Sequence, residues 1–308
     1  MKKVLAIIGP TASGKTKLSI EVAKVLDAEI ISVDSRQIYK HIQVASAIPT
    51  EKERQEIVHH FLEEYNLNED FNAGKFGKLG RIRINEIFSR GKTPLIVGGS
   101  GLYIKSLIDG FFEEEVGSKE IREKLYEKLK LKGNEFLYNE LKEIDKIAAS
   151  KMIPQNIRRI IRALEIYYAS GKKISDLQKE EVKIDFETLQ VGLMLDRKYL
   201  YKRINERVDS MIKRGLIDEV QRLKDNGFDY IDYNSLNTVG IKEVYLYLAG
   251  ELNYPEMVDL IKRNSRRYAK RQMTWFGKDE RINWIKVSEY KGMEVLRGET
   301  TELFNEFL

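Results

Sequence analysis

The chain contains no cysteine. That excludes a disulfide framework, a thiolate nucleophile and any zinc site built on cysteine, and it makes a reducing cytoplasm the natural home. Histidine is nearly as scarce: His41, His59 and His60 are the only three. Adjacent side chains diverge on a helix or a strand, so His59 and His60 are expected to pack or hydrogen-bond, not to share a metal. No long apolar run is present near the N-terminus. Val4 to Ile8 is too short for a signal-peptide core and far short of a membrane span, which needs about 20 apolar residues. Internal repeats and low-complexity linkers are also lacking.

The 308 residues are 42% hydrophobic, enough for one core of ordinary size and a subsidiary domain. Net charge is +5, from 53 basic and 48 acidic residues. Its distribution says more. Lys262, Arg263, Arg266, Arg267, Lys270 and Arg271 are interrupted by no acid, and Arg158, Arg159 and Arg162 open another helical stretch. Acids gather instead between Glu51 and Glu69 and from Glu113 to Glu115. Basic faces of this kind suit an anionic polymer, although a lysine-rich solvated surface would read the same way.

Short β-branched runs alternate with helical patterns, which predicts an α/β fold with a parallel sheet. Strands are expected at Val4–Ile8, Glu29–Val33, Pro94–Val97, Gln190–Leu195 and Asn283–Val287. Helices are expected at 15–26, 78–90, 198–214, 216–226, 240–250 and 255–276. Between the third and fourth strands only helical periodicity appears, at 118–131, 134–147 and 157–170. The domain reading is therefore a core of 1–111 and 186–308, interrupted by a helical insertion at 112–185.

Gly9, Pro10, Thr11, Ala12, Ser13, Gly14, Lys15 and Thr16 fit G-x-x-x-x-G-K-[ST] without mismatch, between a strand and a helix. Glycines let consecutive amides converge on an anion, the helix start adds its positive dipole end, and Lys15 adds a mobile cation. Thr16 offers a hydroxyl to Mg²⁺. This P-loop is equally the signature of ATP-binding enzymes, and a phosphate cradle alone does not name the chemistry. No acid ends the third strand, which stops at Gly98-Gly99-Ser100-Gly101. The nearest strand-end acid is Asp34, on a strand expected to lie beside the P-loop strand. It could act as a base, a metal partner, or simply a helix N-cap.

Taken together the motifs resemble the tRNA dimethylallyltransferases, or tRNA isopentenyltransferases, of bacterial type. The matching segments are Gly9 to Thr16, Asp34-Ser-Arg-Gln-Ile-Tyr39, Pro94-Leu-Ile-Val-Gly-Gly-Ser-Gly-Leu-Tyr103 and Arg158-Arg-Ile-Ile-Arg-Ala-Leu-Glu165. Asp196-Arg197, Arg203-Ile-Asn-Glu-Arg-Val208, Gly215-Leu-Ile-Asp-Glu-Val220, Thr238-Val-Gly-Ile-Lys-Glu243 and Ala269-Lys-Arg-Gln-Met-Thr-Trp275 follow in register. The resemblance implies a P-loop NTPase-like core and transfer of a dimethylallyl group to the amine of the adenosine at tRNA position 37. It implies dimethylallyl diphosphate held by Gly9 to Thr16, with Mg²⁺ on Thr16, and catalysis by Asp34, Lys15 and Thr16. It places Asp34, Ser35, Arg36, Gln37 and Ser100 near the base, and Gln155, Asn156, Ile157, Arg158, Arg159, Arg263, Arg266, Arg267, Lys270 and Arg271 on the tRNA. A cytoplasmic monomer with no membrane partner is expected. Ala45-Ser46-Ala47-Ile48-Pro49 stands where the family has Gly-Thr-Ala-Lys-Pro, and Ile153-Pro154-Gln155-Asn156 where it has His-Pro-Asn-Asp. Rival readings are a small-metabolite kinase, an isopentenyltransferase of free adenine nucleotides, and a non-catalytic RNA-binding module.

Overall fold

The computed structural model describes residues 1–55, 57–110, 117–179 and 182–308. The acidic run at Glu113 to Glu115 and the expected domain boundary at 111/112 lie outside them. The chain divides into two compact units, Met1–Ile108 with Asp185–Leu308, and Asp109–Ile184.

In the first unit the chain runs β1 (Lys2–Ile8), α1 (Lys15–Val25), β2 (Ala28–Val33), α2 (Gln43–Ser46), α3 (Glu51–Arg54), β3 (His59–His60), α4 (Ala73–Ser89), β4 (Thr93–Gly98) and α5 (Gly101–Ile108). The second unit holds α6 (Lys119–Ile144), α7 (Lys146–Ala149), α8 (Ile157–Ser170) and α9 (Ile174–Leu177). The first resumes with β5 (Phe186–Leu195), α10 (Arg197–Lys213), α11 (Leu216–Asp225), α12 (Ile241–Leu248), α13 (Tyr254–Phe276), β6 (Ile282–Val287) and α14 (Met293–Phe307).

The strands form one parallel sheet in the order β3-β2-β4-β1-β5-β6. Val4 to Ile8 of β1 are wholly buried, because helices cover both faces of a parallel sheet and leave no side for polar residues. Leu5 and Ile7 join Leu18 and Val22 of α1, Leu200 and Ile204 of α10 and Phe304 of α14 in one core. The order corrects one expectation. β2, which delivers Asp34, does not adjoin β1; β4 lies between them. Succession along the chain does not fix neighbourhood in a sheet, and two strand spacings of about 4.8 Å separate β1 from β2.

Helix α4 begins five residues before the expected start, because the Asn72 side chain caps the Lys75 amide. Its buried stripe includes Gly77 and Gly80, where α5 comes close. A β-carbon on Gly77 would fall 2.6 Å from the Ser106 carbonyl oxygen, and one on Gly80 would fall 2.7 Å from a Leu107 methyl. Several short elements lie outside the sequence pattern, β3 and α2 among them. β3 is pinned by His60, whose ring bonds the buried Glu29 at 2.7 Å while Arg90 takes the same carboxylate. Helix α2 is capped by Glu219 of α11, which accepts from the amides of Val44 at 2.8 Å and Ala45 at 2.9 Å.

The second unit has its own core of Leu125, Leu137, Leu141, Ile160, Ile161 and Leu164. Its long helix α6 is interrupted at Gly133, whose φ of 81° breaks the helical path. Glu165, almost fully buried, collects the Ser118 amide and the guanidinium groups of Arg122 and Arg162.

Two glycine substitutions should have opposite signs. Gly298 in α14 has open space where a β-carbon would go, so Gly298→Ala should stabilise by up to about 1 kcal/mol through helix propensity. Gly77→Ala offers the same gain in propensity but drives a methyl into α5 backbone, and should lower Tm. Equal shifts of both variants in thermal melts would show that α4 and α5 are not in close contact.

Candidate active site

The anion cradle follows directly from β1. The chain leaves the sheet at Gly9 (φ 151°), passes a left-handed Ala12 (φ 62°) and enters α1 through Gly14 at φ 102°, which a residue with a β-carbon rarely adopts. Alternating hand turns successive amides to the same side, the geometry of a nest. No side chain caps α1 and no acid occupies its first turn, so its first amides are left for a ligand. Ser13 Oγ is buried in the loop without a hydrogen-bond partner. A buried hydroxyl without a partner is costly, and an oxyanion in the cradle would satisfy it.

Lys15 lies folded onto the loop, its Nζ donating to the carbonyls of Gly9 (3.0 Å) and Pro10 (2.7 Å). Burial and then the charge of Arg207 push its ammonium down to about 7, against the opposing pull of Asp34. Arg207 is itself pushed down by burial, while Asp34 holds it up. One turn earlier on α10, the Arg203 guanidinium lies across the P-loop, 3.4 Å from the place of a Gly14 β-carbon. The space these groups enclose is a cleft of about 650 Å³ lined by Lys15, Thr16, Asp34, Gln37, Arg203, Arg207, Tyr268 and Gln272 among others.

Asp34 faces the P-loop across the end of β4. Gly98 and Gly99 pack too closely there to carry side chains: a β-carbon on Gly98 would fall 2.2 Å from the Val33 oxygen, and one on Gly99 would fall 2.5 Å from Gln272. Asp34 Oδ1 accepts from the amides of Arg36 (2.8 Å) and Gln37 (3.4 Å). It therefore caps a turn, not a helix, and its second oxygen is not spent on that turn. Beside it, Tyr268 is pushed up to about 12, first by burial and next by the Asp34 charge, so its phenol keeps its proton. Ser100 receives the Ser35 amide at 3.2 Å.

The wall opposite is α13. Gln272, buried on its inner face, accepts from the Thr11 amide (2.8 Å) and donates to the Gly99 carbonyl (2.9 Å), tying the P-loop to the β4 turn.

The IPP transferase family model matches residues 37–279. A tRNA dimethylallyltransferase of Acetivibrio thermocellus is 46% identical over 297 residues, covering 96% of this chain and 95% of the relative. The chain belongs to the IPP transferase family. Its fold agrees with that of the full-length tRNA isopentenylpyrophosphate transferase of Bacillus halodurans, with a TM-score of 0.73 at 37% identity, 99% of this chain and 98% of that one being covered. A eukaryotic dimethylallyltransferase acting on tRNA gives 0.83 at 29% identity, covering 100% of this chain and 79% of its own.

The remaining site residues of this IPP transferase family member are placed as follows. Arg36 turns away from the cleft and donates to the carbonyls of Asn234 (2.7 Å) and Asn237 (3.3 Å). Gln37 lines the cleft, but its amide is already braced by the Ser32 hydroxyl and by the carbonyls of Ser46 and Ala47. On α13, Arg263, Arg267, Lys270 and Arg271 are exposed. Arg266 is not their equal: it donates to Asn205 at 2.7 Å and its guanidinium is 5.9 Å from the Tyr201 ring, so it braces α13 against α10. In the second unit Gln155, Arg158 and Arg159 are exposed, Ile157 packs on the core, and the Asn156 side chain accepts the Ile153 amide. Arg203, Arg207, Tyr268 and Gln272 were not singled out as site residues from sequence. Arg203, Arg207 and Gln272 lie in segments that carry the family resemblance, and Arg203 with Arg207, like Tyr268 with Gln272, are four apart on a helix. As for a metal, Thr16 is exposed at the cleft. Among the described residues there is no cluster of three or more acids and histidines. That donor set fits Mg²⁺ arriving with a phosphate ligand, since Mg²⁺ characteristically keeps few protein ligands beside phosphate and water.

The state of Lys15 sets a pH dependence. An anion in the cradle raises its pKa, so binding takes up a proton above about pH 7. Affinity for a diphosphate ligand should then fall as pH rises from 7 to 9, by up to about tenfold per unit. Comparing wild type with Lys15→Met by calorimetry cancels the ligand's own titration. Parallel pH profiles would show that Lys15 gains no proton on binding.

Proposed function

We propose that this chain transfers a dimethylallyl group from dimethylallyl diphosphate to the exocyclic amine of the adenosine next to a tRNA anticodon. The carbon–oxygen bond to diphosphate breaks, the nitrogen–carbon bond forms, and the amine gives up one proton. The observation that carries this reading is one cleft in which a cationic phosphate cradle faces a carboxylate, Asp34, across a turn without side chains. The names of the tRNA-modifying relatives support it independently.

Each residue then has a task. The P-loop amides, the Ser13 hydroxyl, Lys15, Arg203 and Arg207 hold the diphosphate and stabilise the charge that grows on it as it leaves. Preorganised cations do this without rearranging at the moment of reaction. Mg²⁺, held by Thr16 and the diphosphate, would neutralise part of the same charge. The free oxygen of Asp34 accepts from the attacking amine and takes its proton. Adenine amines are weak nucleophiles, so alignment with the leaving group is most of the catalytic work. Tyr268 and Ser100 border that position, and the base has to leave the anticodon stack to reach it. Exposed Arg263, Arg267, Lys270 and Arg271 on α13, and Arg158 and Arg159 in the insertion, grip phosphates. Freedom from cysteine supports a cytoplasmic enzyme, and we take it to act as a monomer. Among the described residues no helix is long and apolar enough to cross a membrane.

Asp34→Asn tests the carboxylate. The amide keeps the size and the Arg36 turn but loses the proton acceptor, so turnover should drop by about 10²–10⁴. Affinity for tRNA should stay within a few-fold. Near-normal turnover would reduce Asp34 to a turn cap.

The exposed basic face makes a second test. Reversing Arg267 and Lys270 to Glu should weaken tRNA binding and reduce the slope of log affinity against log salt by about two. Arg266→Ala should lower stability and leave that slope nearly unchanged. If the slope follows Arg266 and ignores Arg267 and Lys270, the RNA contacts another surface.

A further inference from the structure

Trp275 stands out among the exposed apolar groups near the cleft. It is 42% exposed, and the adjacent α5 shows Leu102 at 43%. Its indole is nevertheless well seated. A β-carbon on Gly101 would fall 2.3 Å from its Cδ1 and 2.4 Å from its Nε1, so the ring edge rests on the bare backbone at the start of α5. A large aromatic fixed by a glycine and left open to water has a defined orientation and an unused surface.

Its place on α13 gives that surface a direction. Tyr268, Arg271, Gln272 and Trp275 fall at i, i+3, i+4 and i+7, one stripe along the helix. The inner end of the stripe is Tyr268, in the cleft near Asp34. Gln272 locks the middle onto the P-loop and the β4 turn. Trp275 is the outer end, about 10 Å from Tyr268 along the helix axis. Arg271, one turn before it on the same face, is exposed, and its guanidinium is 5.7 Å from the Tyr268 ring.

We propose that Trp275 is a stacking platform for one unpaired base of the RNA, the neighbour of the nucleotide that enters the cleft. This rests on the reading of tRNA as the acceptor. Drawing one nucleotide out of an anticodon loop strips its neighbours of a stacking partner, and an aromatic face restores it. The exposed Arg271 one turn before the ring matches a phosphate flanking such a base. Gly101 acts as a positioning residue, because any side chain there would lift the indole off its seat.

The test uses the full chain and an anticodon stem-loop RNA, either intact or with an abasic residue on one side of the target adenosine. Trp275→Ala should raise KM for the intact RNA roughly five- to hundred-fold, the scale of one base–aromatic stack, with kcat within a few-fold. Trp275→Tyr, which keeps a ring face, should recover most of the loss. One of the two abasic RNAs should raise the wild-type KM by a similar factor and cost the Trp275→Ala variant nothing further. Additive losses with both abasic RNAs, or an unchanged KM for Trp275→Ala, would overturn the platform. Loss of inorganic pyrophosphate affinity in Trp275→Ala would overturn it too, by making the residue a support for the cleft. The acceptor reading fails separately, if wild type transfers nothing to the intact stem-loop. In that event the platform is judged by fluorescence in a Trp284→Phe background, where Trp275 is the sole tryptophan. Quenching on RNA binding that an abasic neighbour abolishes supports it, and no quenching sinks it.

Discussion

Two hydrogen bonds from a single buried amide hold the cleft in register. Gln272 takes the Thr11 amide and gives to the Gly99 carbonyl, so the phosphate loop, the end of β4 and helix α13 meet at one side chain. The task needs an acceptor and a donor on the same group, which a glutamate cannot supply. Because α13 also carries the exposed basic face, that face and the phosphate loop share one anchor.

The charges of the cleft follow a different logic from those of the core. Glu29 with His60 and Arg90, or Glu165 with Arg122 and Arg162, are buried charges whose partners belong to the fold. Lys15, Arg203 and Arg207 instead converge on the P-loop, where Asp34 acts on both Lys15 and Arg207 and Glu53 acts on Arg207. Burial alone moves Lys15 toward neutrality. An anion beside Lys15 would favour its charged form and oppose that shift. Shifts of this electrostatic kind are common where binding sites are preformed.

How far the sequence could be read depended on whether local rules governed the residue. The P-loop was legible because its glycines answer to backbone torsion, and the central strands because burial on both faces leaves continuous apolar runs. The neighbour relation of β2 was misjudged, since sheet order is set by long-range packing that no local pattern records. The first five residues of α4 lie outside the expected helix because they depend on the Asn72 side chain capping the Lys75 amide, which apolar periodicity does not record. The C-terminal helix α14 was missed altogether. Arg266 looked like its neighbours because sequence does not say that Asn205 and Tyr201 lie across from it. Gln272 was hidden for the same reason: a polar residue between arginine and methionine gives no hint that it faces inward.

The stretch from Val44 to Ile48, helix α2 and its exit, contains most of the segment that departs from the resemblance and is gripped largely by its main chain. Glu219 holds the amides of Val44 and Ala45, and Gln37 holds the carbonyls of Ser46 and Ala47. Peptide groups are the same whatever the residue, so this stretch can drift in evolution without displacing Gln37 or the carboxylate whose turn it shares. Size is the remaining constraint, because Ala45, Ser46 and Ile48 are buried. Divergence at these positions, within that size limit, therefore leaves the Gln37 side chain and the Asp34 turn where they are.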